Sequence, residues 1–551
     1  MATVTAIVIN KDTDVTSITP AVFGKLLPAD LAKLSTSQVG DISSIQAATL
    51  TDKTLVSLKQ ASISSEVIGS IPASAITTLN IKLISYDQFN NLTSAQVGAL
   101  TADQVKAIST IQFNGINTES LAFLTLGAKG NFAALDMKKL DTSTSHANFD
   151  KLSPAQIGSL SEVQLKALSS AQANAITAEQ AAGFTPAQAG LFTTTFLGYL
   201  TNNTTLDNLA AATFAAIQPK VFGALQQAVL TNLSEDNIVA ITSAQMSALT
   251  LTKVGYLAAN DAFTSLPKAA FAGLTKANIR GLDLSVVTDE QFTYLSGAQL
   301  SLLSNGDTVA KGEIGDITLT QAAALTDVQA KTLTPAFITA LTAEDLGQLS
   351  GTALAAIPAK SFAGLTANIS GLTVDNAPSI TSEQITALTS TKIAALDTAD
   401  LSALSIKALA GLTKSNIAGL DIANLQGDGQ FEALTAAQLN TLSTSPTNSN
   451  SLSEVIDISV TQGALLTVSQ AKGLVPAFVK ALNSATVATL TPEAIANLTP
   501  KAFAGFDTHI SGLTEENVAL ITSAQIAALS SAQIAALSTS EDLKFIPVKA
   551  L

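Results

Sequence analysis

Residues 152–191 read LSPAQIGS, LSEVQLKA, LSSAQANA, ITAEQAAG and FTPAQAGL, which are five consecutive copies of one eight-residue pattern. We call this unit the octad. The same spacing recurs along the chain, and its longest run extends from Ile317 to Leu420 with one step of seven. A fixed internal period of this kind is the sequence signature of a repeat architecture.

The octad consensus, Leu-Ser/Thr-x-x-Gln-Ile/Val/Leu-x-Ala/Gly, predicts the start of a helix. Ser or Thr is a preferred N-cap, and a Gln three residues later can accept a hydrogen bond from the N–H of the cap residue. The flanking apolar residues occupy the positions of a hydrophobic staple. Five prolines directly follow the cap residue, at the N1 position where proline is tolerated: Pro154, Pro186, Pro335, Pro492 and Pro500.

The octads predict an all-α solenoid or superhelix of short helices. In one continuous helix, eight residues would rotate the leading Leu by about 80° per repeat, so no apolar face would form. A β-solenoid is disfavoured by the Ala and Gln content, by the N1 prolines and by the lack of a period of two. The chain must therefore bend near each cap, and helices of one to three turns are stable only when they stack on neighbours.

A longer period groups the octads into blocks of about 140 residues. Residues 320–341 return as residues 461–482, and residues 360–388 return as residues 501–529. We therefore predict an N-terminal cap with a short strand at 1–25, blocks at 26–175, 176–316 and 317–457, and a truncated block at 458–551. Loops are predicted where the octad register is lost, at residues 305–316, 427–429 and 443–451.

The composition excludes several functional classes. The 551 residues are 47% hydrophobic and 13% charged, which rules out charge-driven disorder. The net charge of -14, with Arg280 as the only arginine, argues against nucleic-acid binding. Without cysteine there are no disulfides, thiolate metal sites or cysteine nucleophiles. No apolar run reaches the length of a transmembrane helix, and residues 1–10 lack the basic leader of a secretory signal.

Few residues are candidates for chemistry. The two histidines, His146 and His509, lie 363 residues apart in sequence, so they form no recognisable catalytic or metal-binding pair, and His509 replaces Asn368 of the preceding copy as a surface variation. Acidic and glycine-containing loops offer carboxylates to a hard cation such as Ca²⁺, although they lack the known calcium-loop spacings. These candidate ligands are Asp307, Glu313, Asp316 and Asp428. No other cofactor is expected, and the pattern predicts no enzyme.

The repeated glutamines have two interpretations. They can form a polar ladder for a glycan or peptide, or they can serve only as partners of the helix caps, which we favour because capping needs no ligand. In residues 152–191 these glutamines are Gln156, Gln164, Gln172, Gln180 and Gln188.

Two resemblances follow from these residues. The motif L-T-x-x-Q, as in residues 92–96 and 434–438, resembles the signature of Spy-type periplasmic chaperones, but it covers five residues at a time and is explained by a shared capping box. The lack of Cys, the scarcity of Arg and Met, the acidity and the tandem blocks resemble exported bacterial surface proteins. Surface-layer proteins and large repeat adhesins are the nearest comparison.

The second resemblance implies a non-enzymatic structural protein of the bacterial cell surface that assembles with itself into a layer or filament. On this interpretation it is extracellular and exported without a cleaved N-terminal signal. One alternative is a monomeric solenoid adhesin or scaffold that binds a glycan, lipopolysaccharide or peptide. Another is an intracellular effector solenoid.

Overall fold

A computed structural model describes residues 8–115, 118–126, 130–142, 148–202, 205–303, 314–444, 454–539 and 542–550. Within these ranges the chain is helical, and its only β-pairing is an isolated bridge between Ser443 and Glu454. The predicted all-α solenoid of short helices is confirmed, and both a β-solenoid and a continuous helix are wrong. The N-terminal strand falls mainly on residues outside this description, and residues 8–10 have no regular structure.

The chain divides into two compact units, which we describe separately. Unit 1 comprises Met1–Leu249 and Asn260–Gly273, and unit 2 comprises Thr250–Ala259 and Leu274–Leu551. These units differ from the blocks predicted by the 140-residue period, because they are defined by contacts in space.

The α-helices of unit 1 are Pro20–Phe23, Pro28–Leu31, Thr36–Gly40, Ser44–Ala47, Asp52–Leu55, Tyr86–Asn90, Ser94–Ala99, Ala102–Ala107, Thr110–Gly115, Thr118–Leu121, Pro154–Gly158, Glu162–Lys166, Ser170–Asn174, Ala178–Ala182, Pro186–Ala189, Thr194–Asn202, Ala211–Ala215, Pro219–Phe222, Gln227–Leu230, Glu235–Ile238, Ser243–Ala248 and Lys268–Phe271. Its 3₁₀-helices are Val15–Ser17, Gln60–Ser62, Ile68–Ser70, Ile76–Thr78, Phe132–Ala134, Met137–Lys139, Phe149–Lys151, Leu206–Asn208 and Phe263–Ser265.

The α-helices of unit 2 are Leu251–Ala258, Asp289–Phe292, Gly297–Leu300, Leu319–Ala323, Asp327–Ala330, Pro335–Ala340, Ala343–Gln348, Gly351–Ala356, Ala359–Phe362, Ser382–Ala387, Ser390–Ile393, Thr398–Ala403, Ile406–Leu409, Gln430–Ala433, Ala436–Leu439, Val460–Ala464, Val468–Gly473, Pro476–Ala481, Ser484–Thr489, Pro492–Asn497, Pro500–Phe503, Glu515–Val518, Ser523–Ala527 and Ser531–Thr539. Its 3₁₀-helices are Ile279–Gly281, Leu284–Val286, Ile314–Asp316, Ala367–Gly371, Ala377–Ser379, Ile417–Gly419, Ile422–Asn424, Val455–Asp457, Ala504–Gly512 and Asp542–Phe545.

The bend between successive helices consists of two extended residues. Helix Ser94–Ala99 ends at Leu100, whose φ of -55° and ψ of 138° leave the helical region, and Thr101 follows with φ -73° and ψ 161° as the N-cap of Ala102–Ala107. All five predicted N1 prolines occupy that position. The helices are short because every octad supplies a new cap before the previous helix has completed two turns.

Helices three octads apart pack against one another. Pro154–Gly158 contacts Ala178–Ala182, and Asp327–Ala330 contacts Gly351–Ala356. In both pairs the first residues differ by 24 in number, so one turn of the solenoid contains three octads. We call such a turn a coil.

The exposure of one octad shows how the coil is filled. In residues 152–159, Leu152, Gln156 and Ile157 are buried, whereas Pro154 and Ala155 are exposed. The two apolar side chains form the core of the coil. The Gln is polar and still fully buried, which requires that its amide is hydrogen-bonded.

Candidate functional site

The buried glutamines connect each coil to the one before it. Gln104 lies at N3 of its helix, and its Oε1 accepts a hydrogen bond from the N–H of Thr101 at 2.7 Å. Its Nε2 donates to the carbonyl oxygens of Ile76 and Leu79, both at 2.7 Å. These carbonyls belong to the end of a helix in the preceding coil, where backbone acceptors lack helical partners. One side chain therefore completes the start of one helix and the end of another.

The arrangement is repeated through residues 152–191. All five glutamines there are buried, form the capping box and donate Nε2 to a backbone carbonyl of the preceding coil: Gln156, Gln164, Gln172, Gln180 and Gln188. The capping interpretation is confirmed. The side-chain oxygen and nitrogen of each of these glutamines are both hydrogen-bonded within the protein. They therefore present no polar ladder to a ligand.

Other residues at N3 make the same bond to the preceding coil. Asn517 Nδ2 donates to the Leu490 carbonyl at 2.7 Å, Ser361 Oγ to the Leu333 carbonyl at 2.6 Å, and Lys392 Nζ to the carbonyl of Ala363. The sequence-based interpretation missed this second bond. A signal for it was present, because a capping box accepts Glu as readily as Gln, whereas only Gln can also donate.

A pocket with a histidine in its wall lies in unit 2 and has a volume of about 430 Å³. Its polar wall includes Ser443, Thr444, Glu454, Lys480 and His509. His509 is half-buried, and its Nδ1 is buried without a hydrogen-bond partner. The side chain therefore differs from the surface position predicted for it. His146 lies outside the described residues.

Two features beside His509 set this pocket apart from the regular octads. Asp507 has φ 49° and ψ -129°, the only positive φ of a non-glycine residue among the described residues, and it kinks the segment Ala504–Gly512. Its carboxylate forms an ion pair with Lys480 at 3.2 Å. Residues held in sparsely populated backbone conformations cluster at functional sites. The pocket also contains the buried carboxyl group of Glu454, so its wall carries both signs of charge.

The predicted calcium ligands are not brought together by the described residues. Asp307 and Glu313 lie outside them. Asp316 is exposed at the end of a 3₁₀-helix, and Asp428 is exposed in the turn before Gly429, which has φ 73°. That turn confirms the loop predicted at residues 427–429. Of the described residues, no three or more His, Asp or Glu side chains form a cluster that would hold a metal ion.

Asp428 does line a pocket, also of about 430 Å³, with Glu432. Glu432 Oε2 is buried without a hydrogen-bond partner. Two carboxylates are fewer than a calcium ion requires, so further ligands would have to come from backbone or hydroxyl oxygens. Calcium binding therefore stays a prediction.

Comparison with known proteins identifies no family. No protein-family model matches the chain, and no curated protein matches it. Among solved structures it is similar, at 13% identity and a TM-score of 0.16, to one described as "Crystal structure of Kap121p bound to Pho4p". The match covers 97% of this chain and 52% of that one. So low a TM-score carries no argument about function.

Proposed function

We propose that the protein is a non-enzymatic structural repeat protein of the bacterial cell surface that assembles with itself into a layer or filament. The single observation that supports this most is the internal use of the repeated polar side chain. Repeated glutamines such as Gln104 are buried and join two coils, so the regularity of the sequence serves to hold the coils together rather than to present a row of binding groups.

The way coils join also supports self-assembly. The hydrogen bonds made by the N3 glutamines are directional, because each side-chain donor lies at a helix start and each backbone acceptor lies earlier in the chain, at the end of a helix. Gln384 donates to Leu354 and Ile357 in this sense, and Gln525 donates to Ile495 and Leu498. Contacts of this head-to-tail kind generate open assemblies when they recur between molecules.

The location we propose is extracellular, with export that uses no cleaved N-terminal signal. It rests on the resemblance in composition to surface-layer proteins and repeat adhesins. No helix among the described residues has the length and apolarity needed to span a membrane. Immunogold labelling of intact cells of the native host tests the location, and label confined to the cell interior would contradict it.

Electron microscopy and light scattering of the purified chain test the assembly. We expect ordered sheets or filaments to form as protein concentration rises, with or without millimolar Ca²⁺. Parallel melting curves in Ca²⁺ and in chelator test calcium binding separately. Dispersed compact monomers at the highest concentration, in both buffers, would contradict self-assembly.

A second candidate function is a solenoid adhesin or scaffold that binds a glycan, lipopolysaccharide or peptide. The pocket of Lys480 and His509 favours it, because hydroxyls, an ammonium group and an unpartnered imidazole nitrogen are suited to polar ligands. A glycan array and a pull-down from cell envelopes test this function. Binding that is lost in His509→Ala but kept in Gln348→Ala, an exposed position of unit 2, would support it.

A further inference from the structure

Polar side chains at the N3 position of an octad commonly donate a hydrogen bond, although apolar residues such as Ala353 and Phe337 also occupy N3. Five different residue types at N3 donate to a backbone carbonyl of the preceding coil, as seen for Gln384, Asn517, Ser361, Thr486 and Lys392. These acceptors are carbonyl oxygens, which cannot donate in return. An ionised carboxylate at N3 would place a second acceptor next to these carbonyl oxygens, and two acceptors cannot form a hydrogen bond with each other.

Asp400 occupies N3 of helix Thr398–Ala403 and is only 2% exposed. The octads from Leu372 to Leu396 keep the step of eight. Gln188, in an equally regular run, bonds to the carbonyls 31 and 28 residues before it. The same offsets place the carbonyls of Ile369 and Leu372 opposite Asp400.

The carboxyl group of Asp400 has one unpartnered oxygen, although the backbone N–H of Asp397 hydrogen-bonds to the group. Its Oδ2 is buried and has no hydrogen-bond partner. The cap residue is Asp397, whose Oδ1 accepts from the N–H of Asp400 at 2.8 Å, so a second carboxylate lies beside it. Neutralisation is the usual solution for a buried acid in such surroundings.

We infer that Asp400 is held as a neutral carboxylic acid in folded unit 2, that its O–H donates to a backbone carbonyl of the preceding coil, and that its ionisation loosens these two coils. Protonation gives the carboxyl group a donor for the backbone carbonyls opposite it. Burial, followed by the charge of Asp397, raises the pKa of Asp400 to about 6. The Asp400 carboxyl group therefore changes its protonation state at pH values that occur in natural environments.

No other charged group on the surrounding elements offsets this effect. Helix Thr398–Ala403 packs against the 3₁₀-helices Ala377–Ser379 and Ile422–Asn424. The charge of Asp397 raises the pKa of Asp400, and a hydrogen bond from the backbone of Asp397 lowers it by less than burial raises it. The remaining charged side chains on and beside the packed elements are Asp375, Lys392, Lys407, Asp421 and Glu432.

The sign of the pH dependence follows from the direction of the shift. The pKa of an aspartate in an unfolded chain is about 3.9, below that of Asp400 in the folded protein. The folded state thus binds this proton more tightly, and the stability it provides is complete below about pH 4 and lost as pH rises through 6. Two pKa units correspond to about a 100-fold increase in the equilibrium constant for local opening.

Hydrogen exchange of the amides at residues 398–404 tests the inference, after correction for the intrinsic pH dependence of exchange. Wild type, Asp400→Asn and Asp345→Asn are compared between pH 4.5 and 7.5. Asn is a working N3 donor of the same size here, as Asn517 shows by donating to the Leu490 carbonyl at 2.7 Å. We expect the mutant Asp400→Asn to exchange within about fivefold of wild type at pH 4.5 and up to about 100-fold more slowly at pH 7.5.

Asp345 is the matched control. It is an equally buried N3 acid, but its Oδ2 accepts hydrogen bonds from both the N–H and the O–H of Thr342. Asp345→Asn should leave the pH dependence at residues 398–404 unchanged. Asp457, whose pKa is also raised by burial and then by Asp421, is common to all three proteins and cancels in the comparison.

Identical pH profiles for wild type and Asp400→Asn would overturn the inference. Infrared spectroscopy of Asp457→Asn, which removes the other carboxyl group with a pKa raised by burial, provides a second test that leaves Asp400 in place. We expect a C=O band of a protonated carboxylic acid that persists above pH 5 and disappears with a midpoint near 6. Complete ionisation of all carboxyl groups by pH 5 would equally exclude a neutral Asp400.

Discussion

Replacement of Gln384 by Ala tests the hydrogen bonds that join the coils. Gln384 is 1% exposed and makes three hydrogen bonds. Its Oε1 accepts from the N–H of Thr381 at 2.9 Å, and its Nε2 donates to the carbonyls of Leu354 at 2.7 Å and Ile357 at 2.8 Å. Ala removes all three at once.

The expected loss follows from these bonds. A buried hydrogen bond contributes about 1 kcal/mol net, so three bonds correspond to about 3 kcal/mol. In the variant, the Leu354 carbonyl still accepts a hydrogen bond from the N–H of Ile357 at 3.2 Å. The Thr381 N–H and the Ile357 carbonyl lose their hydrogen bonds to the Gln384 side chain. We therefore expect unit 2 to lose about 3 kcal/mol of unfolding free energy.

Urea unfolding followed by circular dichroism measures this loss, and hydrogen exchange at residues 354–357 shows where it occurs. Gln348→Ala is the matched control, because Gln348 is exposed in a helix of the same unit and such changes stay within about 0.5 kcal/mol. Gln384→Asn should lose less than Gln384→Ala, since Asn retains a donor. A loss below about 1 kcal/mol for Gln384→Ala, equal to that of the control, would refute the role assigned to the buried amides.

Three further outcomes are expected. Leu388→Asp should cost several kcal/mol and unfold its neighbourhood in urea titrations, because Leu388 is 3% exposed and an unpaired buried carboxylate is costly. Thr389→Ala should change the midpoint little, since the Thr389 hydroxyl makes no cap hydrogen bond, and a loss above about 1 kcal/mol would contradict this. Gly419→Ala should lower the melting temperature, because its Cβ would lie 1.8 Å from the carbonyl oxygen of Ser390, whereas Gly198→Ala, with nothing within 4 Å, should not.

The local structure was largely predictable from the octad. Its cap, its N3 Gln and its N1 proline act within a few residues of one another, and these interactions decide where a helix begins. Thr389 shows the limit of such reasoning. It occupies the predicted N-cap position, yet its hydroxyl makes no cap bond in a helix where Lys392 replaces Gln at N3.

The contacts between coils could not be predicted in the same way. The second bond of Gln104 reaches residues 25 and 28 positions earlier, and all octads in that region look alike, so nothing local identifies the partner. The 24-residue length of the coil also cannot be recognised in the sequence, because a sequence that repeats every eight residues necessarily repeats every 24. His509 was misplaced for a related reason: it takes the place of Asn368, which donates to two carbonyls of the preceding coil, and that role is invisible without the coil.

The three-octad coil constrains how such a chain can change its length. Removing 24 residues from a regular run brings equivalent helices back into contact, and each N3 donor meets a carbonyl like the one it lost. Removing a single octad instead shifts every later helix by one third of a coil. The N3 donors then lie opposite helices other than the ones that supply their carbonyl acceptors. Gains and losses of whole coils are therefore the neutral route by which this architecture lengthens and shortens over evolutionary time.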